Sequence, residues 1–143
     1  MNSAPLSMVY RCEKQTSKLS QQLKHFYDSG EFCDVVVFSK SSQIFAHRII
    51  LAAFSPYFYH CIHRSAERRS IAEIQLRNYD HRAVKAVVDF FYNGIITVDS
   101  DSAEQIFALA NALHVKEVEK LCLTFLNAQQ SFASEVGCND VFI

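Results

Sequence analysis

Apolar residues recur at helical spacing near the start of the chain. They lie at positions i, i+4, i+7 and i+8, which share one face of a helix: Leu19, Leu23, Phe26 and Tyr27. Gly30 follows, at the position where a residue in the left-handed conformation commonly ends a helix. The pattern predicts a helix over residues 16–29, with Thr16 or Ser17 as its N-cap.

Short β-branched and alternating runs predict a small sheet. Residues 35–38 (VVVF) are typical of a buried strand, and residues 43–46 (QIFA) follow after a polar turn, so the two predict a hairpin. Alternation at Ala72, Ile74 and Leu76 predicts a third strand. Residues 95–98 (IITV) predict a short fourth strand.

Helical spacing returns between and after these strands. Ser55-Pro56 separates two short helices, because proline is well placed at a first helical position. A helix capped by Asp80 ends at Asn93-Gly94, and Asp101-x-x-Glu104 resembles a capping box that opens the next. A final helix carries Val118, Leu121, Cys122 and Phe125. This order predicts an α+β fold, a small mixed β-sheet packed under five to six α-helices.

Composition excludes several functional classes. The chain has 143 residues, with only three glycines and two prolines. The glycines do not have the spacing of a phosphate-binding loop or a nucleophile elbow. A net charge of −1 gives no electrostatic footprint for nucleic acid, and no apolar run is long enough to span a membrane. Five widely spaced cysteines without a secretory signal indicate reduced thiols in the cytoplasm or nucleus.

Residue types that carry chemistry are present without a complete site. His60-Cys61-x-His63 lacks the four ligands of a structural zinc site, so helix-surface histidines and a core cysteine are the preferred interpretation. The carboxylates at 99 and 101 lack the glycine and distal glutamate of a calcium loop, and helix capping accounts for them. We therefore expect no enzyme activity, cofactor or metal.

Asp34 and Arg48 each lie beside apolar residues that a core would bury. An isolated charge at the edge of a core costs several kcal/mol, so the two are predicted to pair. The alternative is that both side chains are separately solvated.

Several segments together resemble the BTB/POZ domain of the kelch-like type. They are residues 32–37 (FCDVVV), 45–58 (FAHRIILAAFSPYF), 90–94 (FFYNG), 108–115 (ALANALHV) and 122–126 (CLTFL). The resemblance covers residues 15–127. It implies that residues 1–14 are an N-terminal segment and that residues 128–143 resemble the start of a truncated BACK-like region.

The resemblance implies a protein-interaction module that forms two-fold homodimers. Asp34 and Arg48 match the family's charged pocket, and a swapped N-terminal strand would fall on Leu6, Met8 and Tyr10. The implied dimer interface comprises Leu19, Leu23, Phe26, Tyr27, Asp34, Arg48, Ile49, Ala52 and Ala53.

Kelch-like members also bind the cullin-3 scaffold of a ubiquitin ligase through the helix after Ser-Pro and a following apolar-any-Glu motif. The matching candidates here are Tyr59, His60, Cys61, Ala66, Glu67 and Arg68. Arg68 stands where the family has glutamate, and Ala66 replaces a larger apolar residue. A shift of one residue restores the glutamate but loses the apolar residue.

The resemblance thus predicts a homodimeric adaptor that recruits substrates to a cullin-3 RING ubiquitin ligase, in the cytoplasm, the nucleus or both. Related BTB proteins are additional expected partners, and neither nucleic acid nor membrane is contacted directly. One alternative is the dimerisation domain of a transcription regulator. Another is self-association without cullin binding, which the departure at Arg68 favours.

Overall fold

The computed structural model describes residues 4–64 and 70–140, with side chains described as far as residue 131. Six helices and three strands make up the described parts. In chain order they are α1 Gln15–Ser29, β1 Val35–Phe38, β2 Gln43–Ala46, α2 Arg48–Phe54, α3 Pro56–Arg64, β3 Ala72–Gln75, α4 His81–Asn93, α5 Ala103–Leu113 and α6 Lys116–Asp140. The predicted α+β class is confirmed.

The three strands form one mixed sheet in the order β2-β1-β3. β1 pairs antiparallel with β2, with Val35 opposite Ala46, and parallel with β3, with Val35 opposite Ala72. The connection from β1 to a parallel neighbour needs a crossover, which α2 and α3 provide after β2. The central strand is buried, as its run of valines predicts.

Helices α4, α5 and α6 supply most of the remaining core. On α4 the buried residues recur at helical spacing, including Val84, Val87, Val88 and Phe91. α5 runs alongside α6, and each buried Val, Leu, Ile or Phe contributes on the order of 1.5–3 kcal/mol. The core therefore forms between one sheet and these helices.

The Ser55-Pro56 junction is fixed by a side chain rather than by proline alone. The Ser55 hydroxyl is completely buried, accepts the backbone N–H of Phe58 at 3.1 Å and donates to the Leu113 carbonyl at 2.7 Å. It therefore caps α3 and also joins α3 to the end of α5.

Two predicted helix ends are confirmed. Gly30 and Gly94 adopt φ values of 78° and 71°, and their N–H groups donate to the carbonyls of Tyr27 and Phe90. A side chain at either position would be strained in this left-handed conformation.

The predicted N-caps are largely wrong. Lys14 occupies the N-cap of α1, and the Ser17 hydroxyl donates to the Lys14 carbonyl instead of capping. Asp80 stands at the N-cap of α4 without a side-chain cap bond. Ser102 stands at the N-cap of α5, and it is Asp99 that accepts the backbone N–H groups of residues 101 and 102. Hydrogen bonds from Ser102 and Arg82 lower the pKa of the Asp99 carboxyl.

One predicted strand is corrected, and the last helix proves long. Residues 95–98 form no strand, because no neighbouring strand pairs with them in the described parts of the single chain, and Ile95 is exposed. α6 continues across residue 128 to Asp140, through a tail with little hydrophobic pattern. Within the described residues, no helix combines the length and apolar character needed to cross a membrane.

Candidate interaction surfaces

The residues predicted for the dimer interface differ in how exposed they are in the single chain. Leu19 and Ile49 are 52% and 75% exposed. Leu23 and Phe26 are half-buried, and Ala52 and Ala53 are half-buried and exposed respectively. Except for Tyr27, the apolar members of this set are thus accessible to a partner.

Tyr27 is not a surface residue, contrary to its place in the predicted interface. Its ring stacks on that of Tyr92 with centroids 4.1 Å apart, and its hydroxyl donates to Asp89 Oδ1 at 2.6 Å. Burial raises the pKa of the Tyr27 phenol, and the Asp89 carboxylate raises it further. Tyr27 therefore holds α1 to α4 from inside.

A buried histidine extends this contact towards the loop before β1. His47 Nε2 lies 2.8 Å from the Glu31 carbonyl, which can only accept, so Nε2 carries a hydrogen. In the neutral ring, Nδ1 then accepts the Tyr92 hydroxyl at 2.6 Å, while the His47 backbone N–H donates to the same oxygen at 2.9 Å. Burial raises the pKa of Tyr92, although that N–H acts in the opposite direction.

This chain of hydrogen bonds joins α4 to the loop that precedes β1. The motif that contains His47 does not by itself predict this network. A histidine between apolar residues was the available signal, because buried polar groups need partners.

Asp34 and Arg48 come together as predicted, but largely through the backbone. Asp34 Oδ1 accepts the Arg48 backbone N–H at 2.7 Å, and Arg48 Nε donates to the Asp34 carbonyl at 2.9 Å. The two charged groups are 3.9 Å apart, and Arg48 also donates to the Ser70 carbonyl. In the single chain the Arg48 side chain is only 14% exposed, whereas the Asp34 side chain is 54% exposed.

Phe32, in the loop between α1 and β1, has an unusual conformation. Its φ is 61°, in the left-handed region, and its side chain is 76% exposed. Its ring meets that of Phe26 edge-on, with centroids 5.1 Å apart. The sequence gives no indication of this backbone conformation, which is rare for a bulky residue.

The cullin-3 candidates lie in two regions. On α3, Tyr59 is half exposed and its ring is parallel to that of His63, with centroids 5.5 Å apart. His60 is exposed and Cys61 half-buried. The other predicted positions lie outside the described residues: Ala66, Glu67 and Arg68.

A groove of about 450 Å³ adjoins the α3 surface. Its walls include Phe54 and Tyr59 on one side and His114 and Glu117, at the junction of α5 and α6, on the other. Ala52 and Ala53 also line it, so this part of the predicted dimer interface borders the cullin candidates.

In the single chain, residues 4–12 of the N-terminal segment form neither helix nor strand. Leu6 and Tyr10 are 91% and 84% exposed, and Met8 is also exposed. No strand forms among residues 4–14.

The cysteines have different environments. Cys12 is exposed, while Cys33 and Cys61 are half-buried and Cys122 is buried. Burial raises the pKa of the Cys33 and Cys122 thiols. In the described parts of the chain, no three His, Cys, Asp or Glu side chains converge as metal ligands would.

The family model of the BTB/POZ domain matches residues 23–130. The chain belongs to the BTB/POZ family. This confirms the resemblance found in the sequence.

Among curated proteins, Kelch-like protein 28 of mouse and that of human are each 28% identical to this chain. Each match covers 90% of this chain and 24% of the relative, so the chain spans about a quarter of their length.

Among solved structures, the BTB domain of zebrafish PATZ1 has a TM-score of 0.75, and that of human gigaxonin has a TM-score of 0.70. Both are 23% identical in sequence, and each match covers 85% of this chain and 99% of that structure. These likenesses establish the fold. BTB domains are protein-interaction modules that self-associate.

Proposed function

We propose that this chain forms a two-fold homodimer and acts as the adaptor part of a cullin-3 ubiquitin ligase. The observation that carries the dimer is the exposure of Leu19 on α1 and Ile49 on α2. An exposed apolar patch is typical of a protein–protein interface, and we infer that these two side chains belong to one such patch. The half-buried Phe26 extends the apolar surface on α1.

The charged pair fits the same interface. Arg48 is already mostly shielded, whereas Asp34 remains half exposed in one chain. A second copy packed beside α2 would cover Asp34 and strengthen its attraction to Arg48, because charges interact more strongly away from water.

Two unpaired segments support exchange of the N-terminal segment between copies. Leu6, Met8 and Tyr10 alternate as strand residues do, and residues 95–98 were predicted as a strand yet are unpaired. Pairing of one copy's N-terminal segment with residues 95–98 of the other would form strand hydrogen bonds that a single chain lacks.

The adaptor role rests on the kelch-like relationship and on the surface of α3. Tyr59 and the adjacent groove offer aromatic and apolar contact area, which protein interfaces favour. Arg68 opposes this role by reversing a charge. Self-association without cullin binding is therefore the second candidate, favoured by Arg68 and by the basic end of α3, His63 and Arg64.

Light scattering on the purified chain tests the dimer. We expect a mass of about twice 16.3 kDa for the wild type and a monomer for Ile49→Asp, because the new charge would be buried. The control Leu121→Asp alters an equally apolar exposed residue of α6 and should stay dimeric. A monomeric wild type at micromolar concentration contradicts the proposal.

A pull-down with the N-terminal region of cullin-3 separates the two candidates. We expect binding by the wild type, stronger binding by Arg68→Glu and weaker binding by Tyr59→Ala. If neither the wild type nor Arg68→Glu binds, self-association alone is the function.

The expected location of the protein is the cytoplasm, the nucleus or both.

A further inference from the structure

Phe32 stands apart from the other residues with a left-handed backbone. Within the described parts of the chain, the other residues with positive φ are Gly30, Gly94 and His114, and each ends a helix. Phe32 ends no helix, because Gly30 already completes α1. A bulky side chain in this region is a strained outlier whose geometry the surrounding structure must impose.

The surrounding contacts impose it from both sides. The Glu31 carbonyl, directly before Phe32, is held by His47 Nε2 at 2.8 Å. Asp34, two residues later, donates its N–H to the Ala46 carbonyl at 3.1 Å and accepts the Arg48 N–H through its side chain. The backbone around Phe32 is therefore fixed by partners on β2 and at the start of α2.

The outcome of this restraint is an aromatic ring directed into solvent. Phe32 is 76% exposed, and its ring contacts that of Phe26 edge-on. Folding of a single chain gains little from a phenyl group here, and glycine would suit the backbone better. The ring therefore carries a conformational cost that its burial in the single chain does not offset.

We infer that Phe32 is an anchor residue of the self-association surface and inserts into a second copy of this chain. The inference rests on the proposed dimer and deepens it. Phe32 is continuous with that surface, since it contacts Phe26 and lies two residues from Asp34. Aromatic residues are enriched among those that contribute most to interface affinity, and a ring held in place loses little freedom on binding.

Sedimentation velocity over a concentration series tests this role. Phe32→Ala and Phe32→Gly should weaken self-association at least about tenfold, and Phe32→Leu should recover part of the affinity because it keeps an apolar anchor. The control Leu123→Ala shortens another half-exposed apolar residue, on α6, and should match the wild type.

The left-handed backbone at Phe32 allows a second measurement, the stability of the monomer in urea. A merely structural role of Phe32 would not give the result expected here. At concentrations where both variants are monomeric, Phe32→Gly should unfold at a higher urea concentration than Phe32→Ala, because glycine accepts φ near 61°. The substitution to glycine should thus weaken association while stabilising the single chain relative to alanine.

The outcomes separate this inference from the proposed dimer. If the wild type dimerises and Phe32→Ala dimerises equally tightly, the anchor role is wrong and the dimer stands. If Phe32→Gly is no more stable than Phe32→Ala, the strained presentation of the ring is wrong. A monomeric wild type overturns both the anchor and the dimer.

Discussion

The ring of Tyr27 lies parallel to that of Tyr92, with an angle of 7° between their planes. One residue belongs to the first helix and the other to the fourth, so the stack fixes how α1 sits on the domain. The Tyr27 hydroxyl bonds to Asp89, and the Tyr92 hydroxyl bonds to His47. Substitution of either tyrosine therefore disrupts a different hydrogen bond.

Alkaline pH should destabilise the fold through Tyr27. Its pKa is raised above the ordinary 10.0, so its contribution to stability is complete below pH 10 and is lost as pH rises through the folded-state pKa. We expect the urea midpoint of the wild type to fall progressively as the pH rises above about 10. Tyr27→Phe, which cannot ionise there, should show a smaller fall, measured by circular dichroism.

Tyr10→Phe is the matched control for this experiment, since Tyr10 is exposed and no partner in the described chain covers it. Its alkaline profile should equal that of the wild type. An equal fall in Tyr27→Phe and the wild type would contradict the assignment to Tyr27.

Replacement of His47 by alanine should be strongly destabilising. The buried Tyr92 hydroxyl would lose a partner, the Glu31 carbonyl would lose its bond to His47, and a cavity would form beside Tyr92. We expect a loss of about 2–4 kcal/mol in the free energy of unfolding, measured in urea. His60→Ala, on the exposed face of α3, should stay within about 0.5 kcal/mol of the wild type. A loss below about 1 kcal/mol for His47→Ala would refute the network's importance.

Asp34→Asn should separate the fold from the dimer. The amide oxygen can still accept the Arg48 N–H, so the unfolding free energy of the monomer should change by less than about 1 kcal/mol. Self-association should weaken by a few kcal/mol, because Arg48 would be covered without its countercharge. Dilution series and urea titrations measure the two quantities.

Asp28→Asn is the control, as Asp28 pairs with Lys24 on the surface of α1. It should alter neither quantity by more than about 1 kcal/mol. Equal dimer affinity for Asp34→Asn and the wild type would exclude the charged pair from the interface.

The thiols should differ in reactivity at neutral pH. Cys12 is exposed, whereas the pKa values of Cys33 and Cys122 are raised by burial, which lowers their thiolate fractions. Iodoacetamide should therefore label Cys12 well before Cys33 and Cys122, as followed by peptide mass spectrometry. Unfolding in urea should remove the difference; persistence of the order in urea would mean that the fold does not cause it.

The parts of the fold that sequence predicted correctly depend on local physics. The valine run of β1, its hairpin with β2 and the glycine ends of α1 and α4 each follow from neighbouring residues. The predictions were wrong where residues distant in the sequence determine the local structure. Residues 95–98 need a partner strand, and Tyr27 is buried because α4 supplies Tyr92 and Asp89.

In the candidate surfaces too, features set by neighbouring residues could be predicted and features set by distant contacts could not. The pairing of Asp34 with Arg48 was predictable because both flank apolar residues, but its exposure depends on whether a second chain is present. The conformation of Phe32 depends on the His47 hydrogen bond to Glu31, which links residues far apart in sequence. No local pattern encodes such a constraint.

The parallel pairing of β1 with β3 has a consequence for the order of folding. The β1–β2 hairpin joins neighbouring segments and closes in microseconds, whereas β3 must wait for α2 and α3. A chain emerging from the ribosome therefore exposes the valine-rich edge of β1 until β3 has been synthesised. An open edge of this kind can pair with another nascent chain, and β3 covers that edge of β1 once it has been synthesised.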